Sequence, residues 1–144
     1  MEPASSAPEA TLEIELAPPR LHGLRTLAER WARYAGFGDL ETARMLAGVD
    51  EALANIHLHA YSGRPGWARI EVEQGPAELM FRLIDRGRAY DPDHATARKP
   101  GELGTGGWGT LMIQAGFPRV ERKRVGEKNI LLLARPLPRE KGKA

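Results

Sequence analysis

The sequence predicts an α+β fold, a two-layer sandwich in which a mostly antiparallel sheet is covered on one face by helices. Three observations carry this reading. Strand patterns come in adjacent pairs separated by short turns, "WARIEVEQ" with "AELMFRLID" and "RVERKRV" with "NILLLARPL". Two helical patterns follow one another near the start, with no strand between them. At 144 residues the chain suits one domain with one core.

Each element has its own signal. In "TLEIELAP", Leu12, Ile14 and Leu16 alternate with Glu13 and Glu15, the period of a half-buried strand. "PPRLHGLRTLAERWARYAGFG" reads as a helix with an apolar stripe of Leu24, Leu27, Trp31 and Ala35, ended by Gly36 and Gly38. Asp39 is placed to N-cap a second helix running to about His59. "SGRPG" breaks the chain before the first strand pair, whose turn is marked by "GP". Residues 86–109 hold many glycines and prolines without periodicity and read as a long loop. "GTLMIQAGF" reads as a short helix, and the second hairpin turns at "GEK". The expected domain spans 11–136, between a disordered Pro-, Ala- and Ser-rich tail at 1–10 and a basic tail at 137–144.

Composition narrows the function. A formal net charge of +2 gives no argument for nucleic acid as a partner. The chain has no cysteine, which excludes disulfides, zinc–thiolate sites and thiol catalysis. No apolar run approaches a membrane span, and "MEPASSAPEA" lacks the basic and apolar regions of a secretory signal, so the expected location is cytoplasmic.

Three stretches carry chemistry. In "DEALANIHLHAY", Glu51, Asn55 and His59 follow at intervals of four, one face of a helix, while Leu46, Val49, Leu53, Ile56 and Ala60 take another. In "LIDRGRAYDP", Phe81, Leu83 and Asp85 share one side of a strand, so a carboxylate points where the core points and needs a partner or a ligand. Gly87 follows, where a missing side chain would let a flat ligand lie on the backbone; a plain Asp–Gly turn is the other reading. In "GELGTGGWGTLMIQ", Gly101, Gly104, Gly106, Gly107 and Gly109 lead straight into a helix. That is a cradle for phosphate or a flexible hinge. It is not a P-loop, because no Lys-Ser or Lys-Thr follows.

Taken in this order, the three stretches resemble the three boxes of the GHKL, or Bergerat-fold, ATP-binding proteins. Within that clan they are most similar to the anti-sigma regulatory factors, small serine-protein kinases. That family's N-box has Glu, three residues, Asn, three residues, then His-Gly-Tyr or His-Ala-Tyr, which Glu51, Asn55, His59, Ala60 and Tyr61 match. Its first glycine box is met by Asp85, Gly87 and Asp91, with Tyr90 in place of Phe, and its second by Gly106, Gly107 and Gly109. The likeness covers residues 10–136. The chain departs from the pattern at Trp108 and Thr110, at His57 inside the N-box, and at Gly116 and Pro118, where the family runs a longer helix.

The resemblance implies a site with ATP and Mg2+ as its cofactors. Asn55 would be the metal ligand, and Glu51, beside the γ-phosphate, the catalytic base. Asp85 would accept from the adenine amino group, with Gly87 and Tyr90 beside it. Gly104, Thr105, Gly106, Gly107 and Gly109 would close over the phosphates as a lid, with Thr110 able to donate to one of them. The implied activity is phosphorylation of a serine or threonine on an anti-sigma factor antagonist, a STAS-type protein, with a sigma factor as second partner. Homodimers are common in the family. His59 reads more simply as a helix-end residue bonded to nearby backbone, and His57 as a solvated position. Arg20, Arg25, Arg30 and Arg33 offer either a basic partner surface or a solvated helix face. Two other functions fit the same boxes. One is a histidine-kinase catalytic domain, which lacks support from the Glu51 spacing and from any phosphoacceptor helix pair. The other is a non-catalytic module that binds ATP and sequesters a partner.

Overall fold

A computed structural model describes residues 8–90 and 108–138, apart from the Trp108 side chain. Five strands form one antiparallel sheet: β1 (Ala10–Leu16), β2 (Gly66–Gln74), β3 (Glu78–Asp85), β4 (Arg119–Val125) and β5 (Lys128–Pro136). Their spatial order is β1-β2-β3-β5-β4, so the chain leaves β3, runs to the far edge, and returns to fill the gap. Three α-helices pack on the sheet: α1 (Leu21–Tyr34), α2 (Asp39–Asn55) and α3 (Trp108–Gly116). The α+β sandwich expected from the hairpins is therefore the observed architecture. No helix among the described residues is long and apolar enough to cross a membrane. The expected tails, the flexible lid and Asp91 fall largely at residues 1–7, 91–107 and 139–144, outside the described residues.

Alternation decides which face of the sheet is covered. Ile70 and Val72 on β2, Phe81 and Leu83 on β3, and Leu131 and Leu133 on β5 stand opposite one another in register and are buried under the helices. Leu24, Ala28 and Ala32 of α1 and Met45, Val49 and Leu53 of α2 close over them. Phe117, just past α3, meets Phe81 edge to face at a centroid distance of 5.8 Å. The opposite face carries charged side chains that pair with one another. Arg69 bonds Glu13 of β1, Arg82 bonds Glu73, and Arg119 grips Glu78 through two nitrogens at 2.8 and 3.1 Å.

Helix ends follow local rules, with two corrections. Gly36, at φ +97°, ends α1: its N–H donates to the Arg33 carbonyl while the Phe37 N–H donates to that of Ala32. That pair of bonds is a Schellman cap, and buried Phe37 supplies its apolar contact. Asp39 is not the N-cap of α2. Gly38 holds that position with extended backbone, and Asp39 takes the first helical turn, its carboxylate 2.8 Å from Arg33. There its charge still meets the positive end of the helix. Of the four arginines of the first helical segment, Arg33 pairs in this way and Arg25 pairs with Asp50 at 3.2 Å, which favours a solvated, charge-paired face.

The second correction concerns the helix said to reach His59. It stops being α-helical at Asn55, and residues Ile56–Ala60 form a π-helical turn with the Tyr61 N–H donating to the Ile56 carbonyl. His59 therefore sits in that wider turn, past the end of the α-helix that carries Glu51 and Asn55.

Candidate functional site

The site lies where the end of α2, the end of β3 and the start of α3 converge. Close packing between α2 and α3 fixes it. A Cβ on Gly48 of α2 would lie 3.1 Å from the Phe117 ring, and one on Gly116 would lie 2.5 Å from the Arg44 carbonyl oxygen. Two glycines therefore let the helices touch backbone to side chain. Gly116, the last residue of α3, lies with its backbone against α2. The same approach brings the first turn of α3 onto the last turns of α2. Any Cβ on Gly109 would overlap Glu51 Oε1 and stand 3.1 Å from its Cδ.

Glu51 is half-buried, and its Oε1 is buried with no hydrogen-bond partner among the described residues. A buried carboxylate oxygen without a donor is costly and uncommon. Asn55 follows one helical turn later on the same face, half-buried. The two thus present a carboxylate and a carboxamide side by side. The donor set suits magnesium. An amide oxygen is a hard ligand, and magnesium takes few protein ligands while keeping water and phosphate oxygens. Among the described residues no group of three or more acids or histidines could hold a metal by itself.

Asp85 is the second centre. It is 3% exposed, the one buried acid among the described residues. Its Oδ1 accepts from the Gly87 N–H at 2.9 Å and from Asn129 Nδ2 at 2.8 Å. Burial pushes its carboxyl above the usual carboxylate range, while the Asn129 and Gly87 donors and the nearby Arg124 charge pull it back. Among the described residues no donor reaches Oδ2.

Gly87 has a different reason to be glycine than an approaching ligand. A Cβ there would stand 2.6 Å from Ala60 Cβ and 2.7 Å from the Ala60 carbonyl carbon. The π-helical turn thus lies on Gly87, and the Arg88 N–H donates to the Ala60 carbonyl at 2.8 Å. Gly87→Ala should therefore destabilise the fold by about 1–3 kcal/mol, the scale of overpacking. A urea unfolding midpoint unchanged from wild type would contradict this.

Tyr61 closes the N-box structurally. Its hydroxyl donates to the Trp67 carbonyl and accepts from the Arg86 N–H at 2.8 Å, and Gly66 leaves room for its ring. It ties α2 to β2 and to the residue after Asp85. The His59 carbonyl accepts from Arg88 at 3.2 Å. His57 is not on a solvated face. It is half-buried, and its Nδ1 is buried with no hydrogen-bond partner among the described residues. Tyr90 is half exposed, with the Arg122 guanidinium 4.3 Å from its ring centre. Thr110 is exposed on the first turn of α3. Gly104, Thr105, Gly106 and Gly107, expected to close over the phosphates, lie outside the described residues.

Sequence reasoning missed Asn129, Arg124 and Arg122. The sequence marks Asn129 only as a polar start to an otherwise apolar strand.

Known proteins agree with this architecture. The Serine/threonine-protein kinase RsbT of Bacillus subtilis (strain 168) is 31% identical over 98 residues, 68% of this chain and 68% of that protein. A solved structure of the RsbU and RsbW domains of Rv1364c from Mycobacterium tuberculosis matches 93% of this chain with a TM-score of 0.61. At 17% identity that likeness shows the fold, and this chain spans about a third of that one, 34%. Residues 14–135 match the family described as the Histidine kinase-like ATPase domain. The chain belongs to that family.

Proposed function

We propose that the protein is an ATP-dependent serine/threonine protein kinase. On this reading it phosphorylates an anti-sigma factor antagonist of the STAS type and regulates a sigma factor by partner switching. One observation carries the catalytic part: the buried Glu51 Oε1, without a partner among the described residues, beside the first turn of α3 and one turn from Asn55. A base must have a free lone pair aimed at the reacting hydroxyl, and an oxygen that holds no donor has one to offer. The kinase name borne by the relative from Bacillus subtilis supports the same class.

Each residue then has a task. Asp85 accepts from the adenine amino group through Oδ2, which favours adenine because guanine offers an acceptor at that position. Glu51 takes the proton of the attacking serine or threonine hydroxyl as its oxygen bonds to the γ-phosphorus. The bond from that phosphorus to the bridging oxygen breaks, and ADP leaves. Asn55 would hold magnesium, which when bound neutralises phosphate charge. Phosphoryl transfer needs little else than such positioning and charge compensation.

The test is incubation of the protein with magnesium, γ-labelled ATP and a purified candidate antagonist. Label on a serine or threonine of the antagonist is the expected result. Stable complex formation with no label, at saturating ATP, would replace the kinase with a sequestering module.

A further inference from the structure

The end of β3 and the start of β5 hold a relay that reaches Asp85 from the edge of the sheet. Asp85 and Asn129 are register partners, so both side chains project to the helix side. Arg124, on the edge strand β4, is the register partner of Asn129 in turn. Its Nη1 donates to Asn129 Oδ1 at 3.0 Å and to the Gly87 carbonyl at 3.0 Å. The Asn129 Nδ2 donates to Asp85 Oδ1 at 2.8 Å, to the Arg88 carbonyl at 2.9 Å and to the Gly87 carbonyl at 3.3 Å.

This arrangement leaves the carboxamide no choice of orientation. A guanidinium only donates, and an ionised carboxylate and backbone carbonyls only accept. Turning the amide over would set its oxygen against three acceptors and its NH2 against a cation. With the amide so fixed, Asp85 Oδ1 carries two donors, Gly87 N–H and Asn129 Nδ2. What remains for a ligand is Oδ2. Both donors also favour the ionised carboxyl, against a burial that favours the protonated one. A protonated Asp85 could present a hydroxyl to the base and would then discriminate poorly between an amino group and an oxo group.

We propose that Asn129, oriented by Arg124, is the specificity-determining positioning residue of the base pocket: it keeps Asp85 an acceptor and aims Oδ2 at the amino group of adenine. The proposal rests on the adenine-pocket reading above and adds two residues to it. Asn129 acts through Asp85, and Arg124 acts through Asn129.

The discriminating probe is a nucleotide that lacks only the amino group. Full-length protein is titrated with ATP and with purine riboside 5′-triphosphate, both with magnesium. The quantity read is the ratio of the two affinities. Wild type should prefer ATP, and Asp85→Asn should abolish the preference. Asn129→Leu, close in volume but without donors, should lose roughly tenfold in ATP affinity while holding the analogue within about twofold. Arg124→Met should reduce the ratio by a smaller factor, because the amide survives but is free to turn. A ratio retained in Asn129→Leu, with Asp85→Asn abolishing it, overturns the role of Asn129 and leaves that of Asp85 standing. Equal loss of both nucleotides in Asn129→Leu also overturns it, since a merely structural residue would act on both alike. A wild type with no preference overturns the proposal and the adenine-pocket reading together.

Discussion

Asp85→Asn should weaken ATP binding by about tenfold to a hundredfold, the loss expected when an ionised acceptor for one buried hydrogen bond is removed. The same substitution should leave the fold as stable as wild type or more so. Burial raises the Asp85 carboxyl above its ordinary value, so the folded chain binds that proton more tightly than the unfolded chain. Above the folded pKa the buried charge works against folding, and that penalty fades as pH falls through it. An amide at this position carries no such penalty, and it can still accept from Gly87 and Asn129. The sign for binding runs the other way. The adenine amino group needs the ionised form, so wild-type affinity for ATP should fall on acidification, starting above the ordinary aspartate range near ~3.9. Asp85→Asn should lack that component of the fall. Calorimetry across pH, paired with denaturant unfolding of both proteins, checks each part. An Asp85→Asn variant that binds ATP as tightly as wild type would remove Asp85 from the base pocket.

Much of this site was open to sequence reasoning because it rests on short periodicities. Alternation from Leu79 through Phe81 and Leu83 carries Asp85 to the buried side, as observed. The interval of four between Glu51 and Asn55 lies wholly inside α2, and there it holds. The α-helix itself ends at Asn55, one turn before His59. The π-helical turn at Ile56–Ala60 has no proline or glycine to announce it, and the turn is braced by Gly87, which is distant in sequence. Asp39 failed as a cap for a local reason: Gly38 takes the extended conformation, and Arg33 claims the carboxylate. Asn129 and Arg124 were out of reach for a topological reason. Their link to Asp85 requires β5 to lie between β3 and β4, and the hairpins alone do not dictate that order. At Gly87 a neighbour that needs the missing side chain's space is Ala60, a contact between residues distant in sequence.

Glu51 and Asn55 should separate chemistry from binding. They sit one turn apart on one face of α2, so one can serve the hydroxyl and the other the metal. Glu51→Ala removes a carboxylate whose Oε1 has no partner among the described residues to strand, so the fold should survive it. ATP affinity should remain near wild type, and phosphoryl transfer should fall by about two to four orders of magnitude, the scale of a general base. Asn55→Ala should instead lose magnesium-dependent nucleotide binding, because it removes the amide oxygen proposed to anchor the cation. The deciding measurement is single-turnover transfer from γ-labelled ATP to a purified antagonist, for wild type and Glu51→Ala, at ATP concentrations that saturate both. The kinase account predicts a wild-type rate at least about a hundredfold above that of the variant. Equal rates in the two proteins would contradict it.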